Sequence, residues 1–356
     1  MPTMALTATF LTDGGQSSTS IAALLADHLG RARRSVDIAI YDLKLDSEPG
    51  ELIRQAVHHA KSRGVTVRLV FNQEKPRIRP LPPPGFVDYD FLRSLQLDSR
   101  AVPGEPDLMH HKYVVSDVGT VNAGVWTGST NWTDDSWNRE ENVIVRLTDP
   151  GVAALYGANF EELWDSRSVQ HSGHQPPTWF ELEPALRVRP YFTPARAAKL
   201  VHEIAQRIAT AGRRVRVCSP VVTSGPVLAS LAEALGRAAL SLGGCYDRTQ
   251  MAEVMHQWSQ KPESAWKQQA WETVRAGMRW GAKISTPYSP GSVHDFMHAK
   301  CLVADDTVFV GSFNFSHSGE ENAENVLEIE SAGVADTFSA YVDRLTERYR
   351  LPLAEV

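Results

Sequence analysis

Apolar and polar positions along this chain follow two rhythms, one helical and one strand-like, and the same succession of the two is written twice. Helically spaced apolar residues through 19–33 lead into Arg34-Ser35-Val36-Asp37-Ile38-Ala39-Ile40, a short apolar run that predicts a strand. Residues 195–211 lead in the same way into Arg214-Val215-Arg216-Val217-Cys218. Each strand precedes an amphipathic stretch, 51–62 in the first half and 227–238 in the second, then a glycine and another apolar run. This strand–helix–strand rhythm predicts an α/β protein.

Further downstream, Gly128-Ser129-Thr130-Asn131 returns as Gly311-Ser312-Phe313-Asn314, and Glu141-Asn142-Val143 returns as Glu324-Asn325-Val326, at one constant offset. The closing segments match as well: Tyr156, Phe160 and Leu163 after Gly151, and Phe338, Val342 and Leu345 after Gly333. Their spacing is that of a helix packed by one face on a sheet. A repeat of this length predicts two similar domains, 1–170 and 185–356. A linker at 171–184, rich in His, Pro, Ser and Gly, separates them.

Composition narrows the setting. The 356 residues, 42% hydrophobic and 22% charged, suffice for two cores of ordinary size and exclude a disordered or fibrous chain. No apolar run approaches the length of a membrane span, and Met1-Pro2-Thr3-Met4-Ala5 has no basic segment ahead of an apolar one, so a soluble cytoplasmic protein is expected. Cys218, Cys245 and Cys301 are odd in number and lack CxxC spacing, which predicts buried free thiols rather than disulfides or a zinc site. The net charge of −6 argues against a broad basic surface, while leaving room for a local basic groove.

The chemistry lies in two copies of HxKxxxxD. The first is Met109-His110-His111-Lys112-Tyr113-Val114-Val115-Ser116-Asp117, and the second is Met297-His298-Ala299-Lys300-Cys301-Leu302-Val303-Ala304-Asp305. On a strand, residues two apart share a face, so each His and Lys would address one ligand. His111 and His294 fall out of register and stay outside the catalytic set. Cleaving a phosphodiester requires an in-line nucleophile, an acid for the leaving alkoxide and positive groups for the non-bridging oxygens. His110 and His298, Lys112 and Lys300, and Asn131 and Asn314 supply that inventory with no metal or other cofactor. Asp117, Asp305, Glu141 and Glu324 are candidates to orient the imidazoles. Ser129 and Ser312 are candidates for supporting hydrogen bonds. For the two aspartates a second reading stays open, since turn-forming residues follow both.

HxKxxxxD followed by GSxN, in duplicate, resembles the phospholipase D superfamily, and the resemblance spans nearly the whole chain. It implies two α/β/α domains, each a mixed sheet flanked by helices, related by a pseudo-twofold axis. It also implies catalysis through a phosphohistidine, with His110 as nucleophile and His298 as the acid that later activates water. That superfamily acts on lipids and on nucleic acids, so the motif fixes chemistry more firmly than substrate. Nucleic acid is the first expectation here, with a phospholipase or phosphatidyl transferase as the alternative. Two segments bear on the choice. One is the basic, proline-rich stretch Glu74-Lys75-Pro76-Arg77-Ile78-Arg79-Pro80-Leu81-Pro82-Pro83-Pro84. The other is 251–280, where Trp258, Trp266, Trp271 and Trp280 alternate with Lys261, Lys267, Arg275 and Arg279. Such interleaving suits single-strand stacking, a membrane interface or plain helix packing.

Overall fold

The computed structural model describes residues 5–73, 86–289 and 291–350, apart from the side chain of Ser47. Two large sheets carry the fold. The first runs in the spatial order Leu6–Leu11, Asn142–Thr148, Gly124–Gly128, Lys112–Ser116, Ser35–Ile40, Thr66–Gln73, Asp98–Pro103. The second runs Phe180–Glu183, Leu186–Phe192, Asn325–Glu330, Thr307–Gly311, Cys301–Ala304, Arg214–Ser219, Ser241–Asp247, Arg279–Lys283. With the edge strand Phe180–Glu183 set aside, the second order repeats the first strand for strand. Each sheet is mixed: the last three strands are parallel, and the hairpins beside them are antiparallel. That edge strand falls inside the segment expected to be a linker. Phe180 pairs with Val188, so the end of the connection is built into the second sheet.

The strands form where the apolar runs place them, because a strand buried on both faces needs apolar residues on both. Ile38, Ala39 and Ile40 are all buried, as are Val114 and Val115 on the neighbouring strand. Helices Ser18–Arg31 and Ser47–Ser62 cover the outer face of the first sheet, and Ala197–Thr210 and Gly225–Ala234 cover that of the second. Between the sheets lies one shared apolar layer. Helix Pro150–Ser166 contributes Tyr156 and Phe160 to it, helix Ala332–Arg348 contributes Phe338 and Tyr341, and Met109 and Met297 come from the two motifs. The halves therefore bury their inner faces against each other, and this holds the two motifs at one seam.

The glycine that opens each GSxN has a steric reason. A Cβ on Gly128 would stand 2.1 Å from the Val143 carbonyl oxygen, and one on Gly311 would stand 2.0 Å from that of Asn325. Only a residue without a side chain lets the strands approach so closely. The turn after the first motif strand spans 117–123, against 305–306 in the second half, so the hairpin is longer in the first half. All three cysteines are free and buried, and Cys218 stands opposite Cys245 on one side and Cys301 on the other.

Candidate active site

The seam positions both histidines through backbone bonds that cross from one half to the other. The His110 amide donates to the Ala323 carbonyl at 2.9 Å, and the Ala323 amide donates to Leu108 at 2.8 Å. In mirror fashion the His298 amide donates to the Glu141 carbonyl at 3.1 Å, and the Glu141 amide donates to Phe296 at 3.3 Å. Each motif is thus paired with the start of the opposite half's GSxN-proximal strand, Asn325–Glu330 or Asn142–Thr148. The motif strands begin at Lys112 and Cys301, so each histidine sits just before its strand and is aimed by this cross-pairing.

The side chains are held by the opposite half as well. Nδ1 of His110 lies 2.8 and 2.9 Å from the two carboxylate oxygens of Glu324. Nδ1 of His298 lies 3.2 Å from Glu140 Oε2 and 3.1 Å from Asn142 Oδ1. In both rings this leaves Nε2 as the nitrogen for a substrate. The Lys112 ammonium donates to the His110 carbonyl at 2.9 Å, and that of Lys300 donates to the His298 carbonyl at 2.6 Å.

Both histidines line one cavity of about 50 Å³ together with Tyr41, Asn131, Glu140 and Asn314. That is room for a few waters or one phosphoryl group, given that a single water needs about 10–15 Å³ of such space. The side-chain oxygens of Asn131 and Asn314 are buried and have no partner among the described residues, so a half-turn of either amide costs no hydrogen bond at its oxygen and would present the NH2 to a phosphoryl oxygen. Next to this cavity, and sharing Asp42 and His294 with it, is a wider one of about 250 Å³ lined by Lys44, Phe86, Tyr288 and Val293. Phe86 is 54% exposed and Val293 38%, so two apolar side chains stand at the open side of this second cavity beside the exposed Lys44.

Burial sets the charge states. It holds both imidazoles well below the usual histidine value, and the ammonium groups of Lys112 and Lys300 push the same way. Burial lowers Lys112 to about 8 against the pull of Glu324, Asp42 and Glu140, and raises Glu324 to about 8 against the pull of Lys112. The cluster sets two ammonium groups against Glu140 and Glu324. An arriving phosphodiester anion therefore favours a proton on one imidazole. Among the described residues, no group of His, Cys, Asp and Glu is arranged to hold a metal ion.

Several expected residues stand elsewhere. Asp117 and Asp305 do not orient the imidazoles. Asp117 accepts from the amides of Arg33, Arg34 and Ser35 at 2.7–3.2 Å, and Asp305 accepts from those of Gly212, Arg213 and Arg214 at 2.7–3.1 Å. Both occupy left-handed turn positions, φ 54° and 51°, which aspartate tolerates better than most residues. Burial pushes the Asp305 carboxyl up, but its three amides outweigh that and hold it below its usual value. The turn-forming reading of the two aspartates is the correct one.

Glu141 is also displaced from its expected role. Its carboxylate meets Lys283 at 2.6 Å and the Tyr349 hydroxyl, while the neighbouring Glu140, which the sequence analysis passed over, faces His298. Ser129 donates to Asn142 Oδ1 at 2.6 Å, and Ser312 accepts from the Asn325 amide at 3.0 Å, so both serines brace the strands behind the histidines. His111 is buried against Tyr113 and Phe192, away from the cavity, but His294 lines both cavities. The run Glu140-Glu141-Asn142, facing Ala323-Glu324-Asn325 in the repeat, is the signal that could have exposed the extra carboxylate.

Of the two segments singled out for substrate choice, Glu74 to Pro84 lies outside the described residues. The tryptophan-rich one forms helices Arg248–Ser259 and Ala265–Gly277. Trp271 is buried, Trp258 packs against the core, Trp280 does so from the following strand Arg279–Lys283, and Trp266 is 52% exposed. Packing within the second half accounts for three of these four rings.

Comparison with known proteins agrees with this geometry. Residues 25–164 and 204–346 match the family model described as "Cardiolipin synthase, PLD-like domain". A mitochondrial cardiolipin hydrolase of Chlamydomonas reinhardtii is 27% identical over 139 residues, covering 39% of this chain and 55% of that protein. One of Xenopus tropicalis is 30% identical over 139 residues, covering 38% and 56%. The chain thus spans about half the length of the curated relatives it matches. Among solved structures, phosphatidylserine synthase of Haemophilus influenzae superposes with a TM-score of 0.62 over 96% of this chain and 86% of that one. At 12% identity this is a likeness of fold.

Proposed function

Because the chain belongs to the phospholipase D-like family, we propose that it cleaves phosphodiesters through a covalent phosphohistidine on His110, with His298 as acid and then base. The observation that carries this reading is the meeting of two imidazoles from opposite halves on one small cavity, each with Nδ1 held from behind and Nε2 left for substrate. His110, with both oxygens of Glu324 on its Nδ1, is the better nucleophile, since the carboxylate stabilises the positive charge that grows on the ring as Nε2 bonds to phosphorus.

In the first step the His110 Nε2 lone pair forms the N–P bond, the P–O bond to the leaving alkoxide breaks, and His298 delivers its proton to that oxygen. In the second, His298 takes a proton from water, the hydroxyl oxygen bonds to phosphorus, and the N–P electron pair returns to His110. Lys112, Lys300, Asn131 and Asn314 hold the non-bridging oxygens throughout.

For the substrate we favour a phosphatidyl lipid, which reverses the order expected from sequence. A nucleic acid presents a row of phosphates and draws much of its affinity from a row of cations. Among the described residues, Lys44 is the one lysine or arginine lining the two cavities, beside Asp42, Asp135 and Glu140. Phe86 and Val293 at the outer edge suit one phosphodiester carried on an apolar body. The two relatives, both cardiolipin hydrolases, point the same way.

The test is a side-by-side assay of the purified chain on vesicles of cardiolipin and of phosphatidylcholine, single-stranded DNA, duplex DNA and RNA. Turnover of the vesicles with little effect of salt supports the lipid reading. Turnover of a nucleic acid alone, suppressed steeply by salt, overturns it and restores the nuclease.

A further inference from the structure

The two halves do not hold their histidines in the same way. Glu324 and Glu141 occupy equivalent places in the repeat, yet Glu324 faces His110 while Glu141 faces away from His298. What draws Glu141 away is Lys283, at the end of the last strand of the second sheet. Its ammonium donates to Glu141 Oε2 at 2.6 Å and to the Arg139 carbonyl at 3.0 Å, and so grips the chain on both sides of Glu140. Tyr349 and the Asp13 amide engage the other oxygen of Glu141, the latter at 3.2 Å. Lys283 and Glu141 are both buried.

Glu140 sits in the bend between Arg139 and Glu141. With Lys283 holding both the Arg139 carbonyl and the Glu141 side chain, that bend is fixed with Glu140 3.2 Å from Nδ1 of His298. The Glu141 backbone is at the same time the partner of the His298 and Phe296 backbones.

We propose that Lys283 is a positioning residue, which acts through Glu141 and Glu140 to hold His298 in the orientation for proton transfer. This makes the two histidines unequal. His110 receives its carboxylate directly from the repeat, and His298 receives a substitute that Lys283 locks in place. The inference rests on the two-histidine reading above.

The test uses bis(p-nitrophenyl) phosphate and rapid mixing. Nitrophenolate departs without help from an acid, so the first step is insensitive to His298, whereas the water step still requires it as base. The double variant Glu141→Gln/Lys283→Met removes the pair without stranding a buried charge. It is expected to release its first nitrophenolate within about threefold of the wild-type rate, while steady turnover falls at least about tenfold and a burst near one per enzyme appears. Glu140→Gln, whose folding does not depend on Lys283, is expected to show the same partition. Burst and steady rates falling together, neither rate changing, or no burst with Glu140→Gln would each overturn the proposal. A wild-type enzyme that never forms an adduct would instead overturn the phosphohistidine reading.

Discussion

Replacing Glu324 by Gln tests both the chemistry of the site and its stability. The side chain is fully buried and both its oxygens lie within 2.9 Å of His110 Nδ1. An amide of the same shape can still accept from Nδ1–H, so the ring keeps its place, but it can neither carry the negative charge nor, as Glu324 raised to about 8 can, exchange a proton with the ring. A hydrogen bond to a charged group contributes about 1.5–3 kcal/mol. At about 1.4 kcal/mol per decade of rate, the upper figure corresponds to roughly a hundredfold. The charge also opposes the positive charge that develops on the ring during attack, and removing the carboxylate behind a catalytic histidine elsewhere costs up to about 10⁴ in kcat. The expected loss is therefore about 10²–10³ in kcat, with KM within about threefold. The substitution also takes a counter-charge from the buried Lys112 and Lys300, so the urea midpoint should fall. Initial rates on bis(p-nitrophenyl) phosphate and a urea titration of the same preparation check both halves of this statement. A loss below about fivefold in a folded variant would refute the role given to Glu324.

With a diester of an ordinary alcohol, kcat/KM requires neutral His110 and protonated His298 in the free enzyme, and burial lowers both rings. The optimum should therefore lie on the acid side of about pH 6.5 and decline as His298 loses its proton. With the nitrophenyl diester that decline should move up to where Lys112, lowered to about 8, deprotonates; an alkyl-diester optimum above pH 8 would contradict this. Asp117→Asn weakens three amide contacts far from phosphorus, so stability should drop by about 1–2 kcal/mol in urea while kcat stays within about threefold. A large loss of kcat at unchanged stability would return Asp117 to the site. Activity should survive EDTA, since the lysines and asparagines are assigned the phosphoryl oxygens; a strict requirement for added divalent cation would show that assignment to be wrong.

Much of this arrangement was legible in the sequence, because a duplicated motif reports on geometry twice. The apolar runs flanking each motif located the central strands, and GSxN and the EN pair located the strands beside them. The residues left open or misread are those whose role depends on contacts remote in sequence. Asp117 keeps its place in HxKxxxxD for a turn and for the amides of Arg33 to Ser35, contacts that spacing alone cannot distinguish from a bond to imidazole. Glu141 looked equivalent to Glu324 because repeat logic assumes symmetry, and Lys283, distant in sequence, breaks that symmetry. For Trp258, Trp271 and Trp280 the alternation with cations leaves stacking, a membrane interface and helix packing all open. Their packing against the second half's core depends on tertiary contacts, which periodicity shows only in part.

The account depends most on the covalent bond between phosphorus and His110. Incubating the His298→Ala variant with bis(p-nitrophenyl) phosphate, quenching in alkali and mapping the peptides by mass spectrometry tests it directly. The expected result is a nitrophenyl phosphoryl adduct on the peptide carrying His110, at the His110 ring and lost in His110→Ala. An adduct on another residue, or full turnover by His110→Ala with no adduct anywhere, would contradict it.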